Sequence, residues 1–286
     1  MLSLILACTA TTEPDPQDDS GNIEEEEVAS APTPRPYDGT CPKMKGKSLE
    51  IESAGQTRTV LFRFPEDPEG APVWFSWHWL GGTATQTINY LDLQDMADKG
   101  WIVVAPETAE GSNHPAFEWG FTGSQDMADA DLALFDDVLA CLYDQHEVDL
   151  DRVYTSGMSA GGLWSTYLSI HRSEALAAAA PYSGGTGAVV SYDTPERQLP
   201  VMVTWGGPND NWNGFSFADA NEDYSADLQA DGHFVIECVH SLGHQFPNGI
   251  TDWTETFFND HPWGLEASPY LTDGLPDNFP SYCSIP

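Results

Sequence analysis

Gly157-Met158-Ser159-Ala160-Gly161 is the stretch that decides how this chain folds. Residues 152–156 (RVYTS) lead into it with β-branched and aromatic side chains, and residues 163–169 (LWSTYLS) leave it without a helix breaker. A serine at the centre of G-x-S-x-G, entered by a strand and left by a helix, has the pattern of a nucleophile elbow. The geometry explains the residue types. A tight bend lifts the hydroxyl clear of the sheet, and small neighbours leave room for the backbone segments that meet there. The alternative is a Gly-Ser-Gly turn without chemistry, and the flanking strand and helix speak against it.

A serine hydroxyl is a weak nucleophile at neutral pH, so it needs a base, and the base needs an orienting acid. After an elbow of this kind the chain order is serine, acid, histidine, with the partners on loops that follow later strands. The strand at residues 199–205 (LPVMVTW) runs into Gly206-Gly207-Pro208-Asn209-Asp210, and the strand at residues 234–239 (FVIECV) runs into His240-Ser241-Leu242-Gly243-His244. His244 is the expected base, with His240 its rival nearer the strand. Asp210 is the expected acid. If Asp210 only caps its turn, Asp219 or Asp223 would supply the carboxylate, and Asn209 would hold the ring without balancing an imidazolium charge. The oxyanion donors are expected at the backbone N–H of Ala160 and in the loop His78-Trp79-Leu80-Gly81-Gly82, where Leu80 is the first choice and Trp79 its rival.

Working outward, residues 48–52 and 57–64 read as an opening hairpin, and residues 72–80 as a buried strand. A helix at residues 91–99, a strand at 101–106, an amphipathic helix at 126–143 and a short strand at 175–182 complete the run. Strands alternating with helices predict an α/β fold, with a mostly parallel central sheet and ligand chemistry at the carboxyl ends of its strands. Aromatic residues crowd the expected site: Trp79, Trp119, Phe121, Trp164, Trp205, Trp212, Phe215 and Phe246. Trp79, Trp205 and Trp212 are taken as substrate contacts, the others as core.

The chain has 286 residues and carries 45 acidic against 10 basic side chains, a net charge of -35. Such a charge excludes nucleic acid as a partner held by electrostatics, disfavours anionic polymers and favours neutral substrates. Residues 1–8 (MLSLILAC) resemble an export signal ending in a bacterial lipobox, although the apolar run is short and no basic residue precedes it. That reading makes the protein a secreted or cell-surface lipoprotein, attached to the membrane through a lipid on Cys8. Residues 9–40, rich in Asp, Glu, Thr, Ser and Pro, read as a disordered acidic tether, and residues 41–286 as one catalytic domain. Of the remaining cysteines, Cys41, Cys141, Cys238 and Cys283, an even number suits two disulfides, and a Cys41–Cys283 pair joining the domain ends is the first expectation. No H-E-x-x-H motif or phosphate-binding glycine loop is present, so no metal and no cofactor are expected, and Asp129, Asp131, Asp136 and Asp137 read as a solvated helix face. A monomer is expected.

From residue 41 onward the chain resembles the α/β-hydrolase esterases grouped with polyhydroxybutyrate depolymerases and feruloyl esterases. Residues 78–83 (HWLGGT) match that group's oxyanion segment, residues 157–162 (GMSAGG) its elbow and residues 243–247 (GHQFP) its histidine segment. Trp79 and Leu80 stand where the group has Gly-Cys, and Trp205 stands where it has the histidine of a His-Gly-x-x-Asp string. The resemblance implies the α/β-hydrolase fold and hydrolysis of a small or polymeric carboxylic ester through Ser159, His244 and Asp210. A serine peptidase on the same fold, or a surface-binding lipoprotein without activity, are the readings that compete with it.

Overall fold

The structure, a computed structural model, describes residues 29–109 and 117–286. The expected export segment with Cys8, and the acidic stretch as far as residue 28, lie outside the described residues.

The chain opens with a hairpin of β1 (Ser48–Ser53) and β2 (Gln56–Arg63), followed by β3 (Val73–Trp77), α1 (Ala84–Tyr90), α2 (Leu93–Asp98) and β4 (Ile102–Pro106). Next come α3 (Gln125–His146), β5 (Val153–Met158), α4 (Ala160–His171), β6 (Ala178–Tyr182) and β7 (Val201–Trp205). A two-residue ribbon, β8 (Asn211–Trp212) with β9 (Phe215–Ser216), precedes α5 (Phe217–Ala230), β10 (Val235–Val239), α6 (Ile250–Asp260), α7 (Tyr270–Asp273) and β11 (Cys283–Ser284). The main sheet has the order β1-β2-β4-β3-β5-β6-β7-β10-β11. Its six central strands, from β4 to β10, are parallel, while β1, β2 and β11 pair antiparallel at the edges.

Alternation along β3 shows how the layers form. Val73, Phe75 and Trp77 join the cluster under α3, α4 and α5, whereas Trp74 joins the opposite cluster with residues of α1, α2 and α6. Both faces of a central parallel strand are therefore buried, which is why β3 reads as a continuous apolar run. Each fully buried large apolar side chain contributes roughly 1.5–3 kcal/mol.

The expected strands and helices are present, with four helices, α1, α5, α6 and α7, and the two-residue strands β8, β9 and β11 added. α1 and α7 are short, and α5 (FADANEDYSADLQA) has only a thin apolar stripe of Phe217, Tyr224 and Leu228, which packs on the sheet. β3 ends at Trp77, so His78 to Leu80 already belong to the following loop.

Three expectations are corrected. The disulfides are Cys41–Cys141 and Cys238–Cys283. β11 adds antiparallel beside β10 and sets Cys283 directly opposite Cys238, which leaves Cys41 to meet α3. Residues 29–40 are not a free tether. Ala31 donates to Asp151 at 2.6 Å, Arg35 pairs with Asp137 at 2.8 Å, and the Tyr37 hydroxyl donates to the Glu52 carbonyl. The acidic face of α3 is not uniformly solvated either. Asp131 and Asp137 are buried, the first paired with Arg58 at 2.6 Å, the second accepting from Ser53 at 2.7 Å as well as from Arg35. Among the described residues no group of three or more metal-ligating side chains is assembled, and no helix is long and apolar enough to cross a membrane.

Candidate active site

Ser159 stands between β5 and α4 with φ 58° and ψ −118°, a left-handed backbone at a non-glycine residue. Conformations of this kind cost about 1–3 kcal/mol and persist where the surroundings fix them. Gly161 shows what fixes this one. A Cβ there would lie 2.1 Å from the Trp77 carbonyl oxygen, so α4 can meet the end of β3 only without a side chain.

The two other groups arrive on the loops expected for them. Asp210 follows β7 after a short 3-10 turn, and His244 lies in the loop after β10. Gly206 lets the loops touch, since a Cβ there would lie 2.0 Å from the Gly243 carbonyl oxygen. His244 Nε2 is 2.9 Å from Ser159 Oγ, and His244 Nδ1 is 2.7 Å from Asp210 Oδ1. The Phe217 ring stacks on the imidazole with centroids 4.3 Å apart.

Asp210 is 0% exposed. Burial alone would raise its pKa, but hydrogen bonds from His244, the Gly206 N–H and the Ser183 hydroxyl, with the field of His244, hold the carboxyl below its ordinary value. The remaining candidates are elsewhere. Asn209, Asp219 and Asp223 are exposed, and His240, though buried, uses Nδ1 to accept the Leu242 N–H at 3.2 Å.

On the oxyanion side, Leu80 lies in the turn after β3, and its N–H meets no acceptor among the described residues. Ala160 opens α4, where the first N–H groups of a helix have no partner within it. The loop is held from behind. The Trp119 indole N–H donates to the His78 carbonyl at 3.0 Å, Gly81 N–H donates to Glu118 at 2.9 Å, and the His78 ring contacts the Trp79 carbonyl at 2.9 Å. Burial lowers the His78 pKa, so its 3.7 Å approach to Glu107 is not an ion pair at neutral pH.

A cavity of about 300 Å³ opens onto Ser159 and His244, lined also by Trp79, Leu80, Tyr90, Met158, Trp212, Gln245 and Phe246. Trp79, Tyr90 and Phe246 form one aromatic cluster, with centroids 5.1–5.8 Å apart. Trp79 and Trp212 thus stand where substrate contacts were expected. Trp205 does not: it is 3% exposed and packed in the core under α5. As the last residue of β7 it continues that strand's inward alternation with Val201 and Val203, which is why it faces the core. Tyr90 was missed, because the helix that carries it was not foreseen.

The sheet order, the parallel core and the elbow between β5 and α4 define a hydrolase of the α/β-hydrolase fold. The chain belongs to the prolyl oligopeptidase family, whose model matches residues 87–235. It is 22% identical to the oxidized polyvinyl alcohol hydrolase of Sphingopyxis sp. (strain 113P3), over 85% of both chains. Native pOPH has the same fold with a TM-score of 0.69, at 19% identity over 86% of this chain and 97% of that one. A ferulic acid esterase superposes with a TM-score of 0.57, at 15% identity over 74% of this chain and 95% of the other.

Proposed function

We propose that this protein is an exported serine esterase that cleaves carboxylic esters of neutral or aromatic, polymer-derived substrates, of feruloyl or polyhydroxyalkanoate type. The observation that carries this reading is the continuous path from Ser159 Oγ through His244 at 2.9 Å and on to Asp210 at 2.7 Å, opening into an aromatic-lined cleft. Ser159 Oγ attacks the ester carbonyl while His244 Nε2 takes its proton. Asp210 keeps Nδ1 protonated and balances the imidazolium. The N–H groups of Ala160 and Leu80 receive the oxyanion, His244 returns the proton to the leaving alcohol, and water entering by the same route releases the acid.

Trp79 and Trp212 flank the acyl or alcohol portion, and among the described residues no Lys or Arg lines the cleft to attract an anionic substrate. The names of similar proteins, a polymer hydrolase and a ferulic acid esterase, support the substrate class. Two disulfides suit an oxidising compartment, which supports export, with Cys8 as the lipid-bearing residue. Residues 41–286 act as the catalytic domain, and a monomer is sufficient because every group named belongs to one chain.

Replacing Ser159 by Ala tests the assignment on para-nitrophenyl butyrate: kcat/KM is expected to fall about a million-fold with the fold intact by circular dichroism. Turnover within tenfold of the parent would sink it. The family match supports a second reading, a serine peptidase with the same three residues. A panel of matched ester and peptide substrates separates them, the esterase reading requiring a kcat/KM preference for the esters.

A further inference from the structure

We infer that Ser183 is a positioning residue for the proposed relay, acting through Asp210 rather than on the substrate. This rests on the reading of Ser159, His244 and Asp210 given above. Ser183 follows β6, next to the strand that delivers Asp210, and its N–H donates to the Thr204 carbonyl of β7 at 2.7 Å. It is 1% exposed, and its φ is 44°. A left-handed backbone is unfavourable for serine and costs glycine nothing, so the side chain is retained there against a local penalty. What it touches accounts for it. Ser183 Oγ donates to Asp210 Oδ2 at 2.7 Å, the same oxygen that accepts the Gly206 N–H at 2.7 Å. Asp210 Oδ1 is thereby left for His244 at 2.7 Å.

A carboxylate only accepts, so the direction of the Ser183 bond is fixed: the hydroxyl proton points at Asp210. Two donors on Oδ2 pin the carboxylate plane, so that Oδ1 faces the imidazole and cannot swing away. They also spread the negative charge within a site sealed from water, which holds the carboxyl ionised. Without the hydroxyl, one donor remains on Oδ2. The carboxylate then becomes easier to protonate and projects a stronger field onto His244. Both changes move proton uptake by the relay to higher pH. The other titratable group facing Asp210 is His240, at the end of β10, whose burial lowers its own pKa while the Asp210 charge opposes that.

Ser183→Gly is the informative variant, because glycine accepts the left-handed backbone while losing the whole hydroxymethyl group; Ser183→Ala removes the hydroxyl alone and keeps the strain. With para-nitrophenyl butyrate, both variants are expected to lose about 10- to 100-fold in kcat with little change in KM. Their kcat/KM pH profiles are expected to have the acid limb displaced upward. Ser183→Gly is expected to keep the parent circular dichroism and a cooperative melt well above the assay temperature, which separates the loss from a folding defect. Parental kcat and an unmoved acid limb in Ser183→Gly overturn the inference. If Ser159→Ala is inactive alongside such a result, only the role of Ser183 fails; if Ser159→Ala stays active, the relay itself fails and this inference with it.

Discussion

Asn209 and Asp210 are neighbours in sequence with opposite placements, the first exposed and the second sealed beneath His244. Counting the His-Gly-x-x-Asp string from Trp205 puts Asn209 in the acid's place, whereas matching Gly207 to its glycine puts Asp210 there, and an amide would not balance an imidazolium charge. The structure brings Asp210 to His244 because the 3-10 turn at residues 207–209 rotates the next side chain inward. Asp210→Asn keeps the shape but removes the charge and the tautomer control, so kcat is expected to fall about 10⁴-fold with KM nearly unchanged, measured at saturating ester. A loss under tenfold would return the role to another group. Ser183 illustrates the reverse case. It read only as the end of a strand before two glycines, and nothing local in Ser183-Gly184-Gly185 reports a partner 27 residues away.

At the scale of single elements, the buried strands were legible because six apolar runs share one physical cause, burial on both faces. α6 was not, although its apolar stripe of Ile250, Trp253, Phe257 and Phe258 has helical spacing, because Gly249 stands at its N-cap and gives no side-chain start signal. The end of α6 carries a pH-sensitive feature. His261 is 0% exposed; its Nδ1 donates to the Phe257 carbonyl at 2.7 Å and its Nε2 accepts the Ser268 hydroxyl at 2.7 Å. Burial pushes its pKa down to about 4. The unfolded chain protonates this histidine near pH 6.5, so between there and pH 4 it binds the extra proton and stability falls as pH drops, by about 3 kcal/mol at the lower limit. In urea melts at pH 7.5 and 4.5, His261→Gln, which cannot protonate, is expected to lose less stability on acidification than the parent protein does, by about 1–3 kcal/mol. Equal pH dependence in the two proteins would remove His261 as the cause.

Across the whole molecule, the disulfides and the charge distribution are the features that local sequence cannot report, since both depend on how distant segments meet. Cys41 pairs with a residue 100 positions away because the segment before β1 crosses α3, and the few cations are drawn to the same helix. Arg35, Arg58 and Arg172 all bind aspartates of α3, at 2.6–2.8 Å. The buried Arg58–Asp131 pair also fixes the loop before α3, because Asp131 accepts the Gly120 N–H at 2.7 Å, next to the Trp119 whose indole N–H donates to the His78 carbonyl. These pairs use up cations and leave a net charge of -35 to act as self-repulsion. Repulsion between exposed charges is screened strongly by salt, with a Debye length of about 10 Å at 0.1 M and about 3 Å at 1 M, whereas a buried pair is screened far less. Added salt therefore relieves what opposes folding and spares what favours it. The Tm is expected to rise steadily between 0.05 and 1 M KCl in calorimetric scans at pH 7.5, and half-maximal inactivation by urea to move to higher concentration. A Tm that falls over that range would mean that exposed ion pairs, not repulsion, govern the stability of this acidic hydrolase.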